Sequence, residues 1–213
     1  NSDGKSPQFS VLASEGIDSA GDALDSEIAK LLIEKEVQGS ERHTALVRNP
    51  GRLKRASRQL KVNIADNDIT EFKMLLGDGN ELVLELTAEE LRQAFQSQFD
   101  KSFRLVLEVL RVAQTSIWRD LAWRASELLA IPSHELISKV NNFILVGGMA
   151  HMPLLREMLV ESGVPADKIY GPESLDSDAA VSLGLGLETN FEHLSLDRPA
   201  FNFELHWTYK GQQ

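Results

Sequence analysis

The chain has 213 residues, 42% hydrophobic and 25% charged, a composition typical of a globular protein that buries a sizeable core. A formal net charge of −10 argues against general nucleic-acid binding, because a polyanionic duplex would repel the chain. No apolar run approaches the ~20 residues of a membrane span, and the lack of cysteine excludes disulfides, cysteine–zinc sites and thiol catalysis. We therefore expect a cytoplasmic protein that binds neither nucleic acid nor membrane.

The first forty residues predict a strand and a helix. Gln8–Ser14 alternates weakly between apolar and polar residues, as in a short strand. Asp18 or Ser19 is a candidate N-cap for a helix whose apolar stripe reaches about Glu36. Residues 37–44 are polar and predict a connection without secondary structure.

A basic segment follows. Asn49-Pro50 predicts a helix start, with Asn49 as N-cap and Pro50 at the first helical position. Between Arg42 and Lys61 the chain has seven cationic side chains and no acidic one: Arg42, Arg48, Arg52, Lys54, Arg55, Arg58 and Lys61. Such a stretch is either a solvated helix face or a site for a small anion.

A hairpin and a long helix come next. Glu71–Leu76 and Glu81–Leu86 flank a Gly-Asp-Gly-Asn turn and predict two antiparallel strands. Thr87 and Glu90 have the spacing of a capping box. Helical periodicity then continues to about Leu129, with a break expected on the way.

The next segment alternates strands and helices. Asn142–Val146 is a short apolar strand, followed by a Gly147-Gly148 turn and a helix from Pro153. Lys168–Tyr170 predicts a further strand, and 176–188 a capped helix. This order favours an α/β layer with a partly parallel sheet.

The end of the chain is amphipathic. Along Phe201–Tyr209, large apolar residues alternate with polar ones, which predicts a half-buried strand that pairs with a sheet edge.

The motifs are individually weak. A strand, a double glycine and a helix N-terminus suit the approach of an anion, but the same pattern occurs where no ligand binds. The five histidines show no metal-ligand spacing, and no Walker loop or nucleophile elbow is present.

The order of the segments is more specific. AGDALD, a basic helix, a hairpin, a long helix, ILVGGMAHMP and DSDAAVSLGLGLE together resemble the second ATPase lobe of DnaK-type heat-shock chaperones, relatives of actin and the sugar kinases. The resemblance implies an α/β fold over 1–188: a ribonuclease H-like sheet with helices, incomplete at its N-terminal side, holding a smaller α+β subdomain of about 22–110. Residues 189–213 would then be a C-terminal extension with an amphipathic strand.

The resemblance also implies a nucleotide site. Gly21 matches a glycine near the nucleotide, and Lys61 matches a lysine that binds the ribose. Gly147 and Gly148 match glycines that approach phosphate and ribose, and Asp178 matches an aspartate at the edge of the adenosine pocket.

Three positions depart from the family pattern while remaining in the predicted site. Arg58 stands where the family has a ribose-binding glutamate, and it can only donate hydrogen bonds. Met149 replaces a serine. His151 replaces the arginine that stacks on adenine, although its ring could stack too.

The expected function is therefore the adenosine side of an ATP/ADP cleft in a DnaK-like ATPase. Mg²⁺ and catalysis would need the missing first lobe, so the chain alone should not hydrolyse ATP. The implied partners are that lobe, a peptide-binding domain and a nucleotide-exchange or co-chaperone protein. Two alternatives stay open: a non-enzymatic protein-interaction module with a vestigial site, and a lobe of a sugar or acid kinase.

Overall fold

The computed structural model describes residues 11–64, 68–76, 79–117 and 125–171, and all structural statements concern these residues. The fold is mixed α/β, with seven α-helices and four strands in the described ranges. They are α1 (Gly21–Glu34), α2 (Glu41–Arg48), α3 (Pro50–Asn63), β1 (Ile69–Leu75), β2 (Glu81–Thr87), α4 (Ala88–Ile117), α5 (Ala125–Ala130), α6 (Ser133–Ser138), β3 (Phe143–Ile144), α7 (Pro153–Glu161) and β4 (Ile169–Tyr170).

The start of α1 differs from the prediction. The N-cap is Ala20, with no side-chain cap, so neither Asp18 nor Ser19 fills that role. The Gln98 amide of α4 donates to the Ala20 carbonyl at 3.1 Å, which anchors the backbone before the helix but does not satisfy the N–H groups of its first turn. The predicted strand is also wrong where it is described, since residues 11–14 are irregular, and its first three residues lie outside the described ranges.

Helix α2 lies where a polar connection was expected. The Ser40 hydroxyl accepts a hydrogen bond from the His43 N–H at 3.1 Å and so caps the helix. Leu46 is completely buried and anchors the helix to the core. A buried leucine and a side-chain cap therefore both favour a helix in this segment.

Helix α3 confirms its predicted start at Pro50. Leu53, Ala56 and Leu60 are buried as expected, and they pack α3 against α1 and β1. The Asn49 side chain does not cap α3; its amide donates back to the Ala45 carbonyl at 2.8 Å.

The hairpin confirms its predicted alternation. Strands β1 and β2 are antiparallel, and Leu82, Leu84 and Leu86 face the core while the residues between them are exposed. The first strand begins two residues earlier than predicted, at Ile69.

Helix α4 begins with the predicted capping box. The Thr87 hydroxyl accepts from the Glu90 N–H at 3.2 Å, and the Glu90 carboxylate accepts from the Thr87 N–H at 2.9 Å. Phe95, Phe99 and Phe103 follow one face, where the first two rings meet edge to face and the last two are stacked.

The last described segment holds a parallel strand pair. β3 is shorter than the predicted Asn142–Val146 and pairs in parallel with β4. Between them, α7 begins at Pro153 and ends before Gly163, as predicted. Gly163 has a φ of +93°, the left-handed conformation in which glycine commonly ends a helix.

One buried apolar cluster extends from Leu24 in α1 to Ile169 in β4. The division into two subdomains stays a prediction. The predicted helix over 176–188 and the strand Phe201–Tyr209 lie outside the described residues. Within the described ranges, no helix has the length and apolarity needed to cross a membrane.

Candidate functional site

Three predicted site residues from distant segments meet at one point. A methyl group placed on Gly21 would lie 3.4 Å from Lys61 Nζ and 3.5 Å from Met149 Sδ. Gly21 begins α1, Lys61 lies in the last turn of α3, and Met149 lies in the 3₁₀ turn after β3. The fold therefore brings together segments separated by up to 128 positions in the sequence.

Lys61 is held by α1 at this junction. Its ammonium donates to the Gly21 carbonyl at 3.1 Å and forms an ion pair with Asp25 Oδ1 at 2.5 Å. The ion pair is close but not aligned as a hydrogen bond, because that oxygen has no hydrogen-bond partner. The Asp25 side chain is 2% exposed and that of Lys61 13%, so the pair is nearly removed from water.

The glycine turn forms an open wall beside the junction. Gly147 has a φ of +81°, which favours glycine whatever the surroundings. Gly148 has neither a positive φ nor any described heavy atom within 4 Å of an added Cβ. Backbone geometry therefore explains the first glycine. The second has open space over its backbone among the described residues, a property that it shares with every described glycine except Gly21.

The remaining predicted residues lie around this point. Arg58 is one turn before Lys61 on α3 and is exposed, and His151 is exposed at the end of the 3₁₀ turn. Asp178 lies outside the described residues. The structure thus unites Gly21, Lys61 and Met149, and places Arg58 on the outer side of α3.

The basic segment is partly neutralised by the protein itself. Arg42 pairs with Glu36 at 2.8 Å, and Lys54 approaches Asp22 at 3.8 Å. Arg52 donates to the Leu75 carbonyl. Arg48, Arg55 and Arg58 are exposed and have no ion-pair partner in the part of the chain that the structure describes.

Two residues of the junction were not predicted from the sequence. Asp25 holds Lys61, and Gln98 fixes the backbone before Gly21. Asp25 carried a usable signal, because it lies on the apolar stripe of α1 beside Leu24 and Ile28, where an unpaired carboxylate would be costly. Gln98 has no comparable signal in the sequence, because its hydrogen bond joins residues 78 positions apart.

Two open clefts lie elsewhere. One of about 380 Å³ runs between α1 and α4, and one of about 400 Å³ lies where the starts of α4 and α7 meet. None of the seven described site residues lines either cleft. The glycine junction is therefore a surface separate from both clefts.

A cluster of ion pairs at the surface joins α4 to α7, the helix after the glycine turn. Arg92 contacts both carboxylate oxygens of Glu161, at 2.7 and 3.1 Å, and reaches Glu157 at 3.4 Å. The hydrogen bond from Arg92 lowers the pKa of Glu161, and the one to Glu161 raises the pKa of Arg92.

In the described ranges, no three His, Asp or Glu side chains lie close enough to hold a metal ion. No protein-family model matches the chain, and no curated protein matches it. The junction and the order of the segments are thus the basis for a function.

Proposed function

We propose that the chain is the adenosine-side lobe of an actin-like, heat-shock-type ATPase, and that the glycine junction binds the ribose and phosphate of ATP or ADP. The observation that carries the proposal is the contact among Gly21, Lys61 and Met149. The resemblance independently assigns these three positions to the site of one ligand. A chance motif match gives no reason for such distant segments to meet.

The state of Lys61 is compatible with this role. An ammonium has three N–H donors; one donates to the Gly21 carbonyl, and the ion pair with Asp25 engages at most one more. The third donor remains for a ribose hydroxyl or a phosphate oxygen. Asp25 then holds the lysine in place, so that little side-chain entropy is lost when a ligand binds.

The surface offers one wall of a cleft. Phosphoryl transfer needs aligned phosphates, a metal clamp and a positioned nucleophile, which the first lobe would supply. We therefore expect the isolated chain to hydrolyse no ATP above background and to bind adenine nucleotide with a Kd of about 1 mM or weaker. The same proposal places the chain in the cytoplasm.

The test is an NMR titration of the full chain with ADP. Saturable shift changes are expected at the amides of Gly21, Gly147 and Gly148 and at the Met149 methyl group. Arg58→Glu introduces a hydrogen-bond acceptor for the ribose, and should tighten binding several-fold, with Arg58→Ala as the control that only removes charge. Because Arg58 is exposed, neither variant should disturb the fold.

Two outcomes would overturn the proposal. One is the absence of any shift change at about 10 mM ADP, a concentration at which a ligand with a Kd in the millimolar range occupies a large share of the sites. The other is a change confined to Arg48 and Arg55, which would show general anion binding. The first outcome favours an interaction module, an alternative supported by the internal neutralisation of Lys61. Lys61→Ala is a poor probe, because it also leaves Asp25 buried without a partner.

A further inference from the structure

The two outer edges of the hairpin differ. The Leu76 N–H donates to the Asn80 carbonyl and the Ala88 N–H to the Asp68 carbonyl, so the even-numbered residues form the hydrogen-bonded pairs of the ladder. The odd-numbered residues therefore direct their N–H and C=O groups away from the partner strand. Each edge of this two-stranded sheet is a row of such groups.

Side chains cover much of the β2 edge. Lys35 donates to the Glu85 carbonyl at 3.1 Å and Arg42 to the Val83 carbonyl at 3.0 Å. Glu90 accepts from the Thr87 N–H. Another strand could pair here only by displacing these contacts.

The β1 edge is covered only at its end. Arg52 donates to the Leu75 carbonyl. The outward N–H and C=O groups of Ile69, Glu71 and Lys73 have no hydrogen-bond partner among the described residues. Beside them, Phe72 and Leu76 pack against the core but remain partly exposed. This edge offers both unpaired backbone groups and apolar surface.

The chain itself contains a segment that suits this edge. Phe201–Tyr209 is nine residues long with apolar residues at alternate positions, and β1 has seven residues, whereas β3 has two. The 29 residues of 172–200 can span at most about 95 Å, several times the ~17 Å radius of gyration of a compact chain of this size. The connection therefore permits pairing within one chain.

Charge on the outer face restricts the register in which this segment could pair. Glu71 lies directly opposite Glu85, and like charges at such positions repel. Glu204 is the one charged residue inside the segment and Lys210 directly follows it, so the register that relieves this repulsion places Lys210, and not Glu204, beside Glu71. We propose that Phe201–Tyr209 pairs with the outer edge of β1 in its own chain and extends the hairpin to three strands.

Cysteine cross-linking tests the pairing, since the chain has no native cysteine. Lys73→Cys is combined in the full chain with a cysteine at Glu204, His206 or Thr208, all polar positions. At least one pair should oxidise to an intramolecular disulfide, which requires Cα atoms about 4.4–6.8 Å apart. Lys73→Cys with Phe203→Cys is the control, because the two side chains would lie on opposite faces.

Amide exchange provides a second test that does not depend on register. The Glu71 and Lys73 amides should exchange at least tenfold more slowly in the natural sequence than in Leu205→Pro, which interrupts the added strand. The Phe72 and Met74 amides pair with β2 and should stay equally protected in both proteins. They report directly whether the variant is folded.

The outcomes are distinct. Cross-links that form only between molecules would show a second copy as the occupant and overturn the proposal. Equal exchange of the Glu71 and Lys73 amides in the two proteins would also overturn it. Both readouts are independent of nucleotide, so they succeed or fail separately from the ATPase proposal.

Discussion

The two sheets of the molecule are stabilised in different ways. The hairpin has seven residues in each strand, a buried face of alternating leucines and helix α3 packed upon it. The parallel pair β3–β4 has two residues in each strand, and Ile144, Val146 and Tyr170 beside or within it are 41–59% exposed. Strands that are neighbours in sequence pair locally, and helix α3 covers the buried face that they form. A parallel pair separated by a helix depends on what packs around it.

The ion pairs show the same contrast. The ion pair Lys61–Asp25, between α3 and α1, is buried. The ion pair Arg92–Glu161, between α4 and α7, lies at the surface. Removing one partner of a buried pair leaves a charge without water or a counterion. An exposed pair simply returns its charges to solvent. We therefore expect substitutions to be costly around the hairpin and mild around the parallel pair.

Lys61→Met should have the largest effect. It leaves the Asp25 carboxylate buried and unpaired, with an expected loss of about 3–5 kcal/mol in the free energy of unfolding. Urea denaturation measures this loss. Asp25→Leu added to Lys61→Met should restore most of the stability, because the pair is then replaced by apolar groups. A single variant that loses less than the double variant would contradict the burial of this pair.

Leu86→Ala should cause the next largest loss of stability. Leu86 is fully buried on β2, and truncation of such a leucine costs about 2–5 kcal/mol. Ile144→Ala is the matched substitution in β3, where the side chain is 59% exposed, and it should change stability by about 0.5 kcal/mol or less. Thermal or urea unfolding of both variants compares the two sheets directly, and equal losses would remove the contrast.

Thr87→Ala removes the cap between β2 and α4. The Glu90 N–H then loses its side-chain acceptor, and the expected loss is about 1 kcal/mol. Ser97→Ala is the control, since Ser97 is exposed inside the same helix, and it should not destabilise the protein. Urea titration separates the two, and a loss in the control would point to a general effect of helix substitution.

The smallest expected effects concern the free energy of unfolding at acidic pH. Burial raises the pKa of Glu90, but hydrogen bonds from Lys35 and Thr87 outweigh it, so the pKa of Glu90 is lowered in the folded state, as is that of Glu161 beside Arg92. A lowered folded pKa gives stability that is present above the ordinary value of 4.5 and is lost as pH falls through the folded pKa. Unfolding free energy should thus be flat from neutral pH to about 5 and fall below it. Glu90→Gln should flatten that fall more than Glu161→Gln does.

The sequence predicted the elements whose signals are local. The basic helix, the hairpin and the Thr87–Glu90 capping box depend on residues within a few positions of one another, and all three are confirmed. The start of α1 was misjudged because the helix begins after Ala20 without any side-chain cap, although residues able to cap lie just before it. Helix α2 was missed because its only apolar anchor of consequence is Leu46, too few for a periodicity.

The candidate site was predicted in part for the same reason. Glycines and a lysine in a familiar order could be recognised one motif at a time, but the sequence does not state which charge Lys61 meets. That depends on how α1 and α3 pack, which brings Asp25 to 2.5 Å from the ammonium. Tertiary packing decides which side chains of two helices meet. The order of the motifs predicts that their segments share a site, but it does not predict the individual contacts.

The cations along the hairpin edges have a consequence for synthesis on the ribosome. Lys35, Arg42 and Arg52 donate to edge carbonyls of β1 and β2, and all three precede Ile69 in the chain. Chains emerge from the ribosome N-terminus first, so the helices that bear these side chains are available before either strand has been made. Exposed strand edges are templates for aggregation. In this protein the cations that cover the β2 edge and the end of the β1 edge are translated first, which shortens the time for which those parts of a nascent hairpin can recruit another chain.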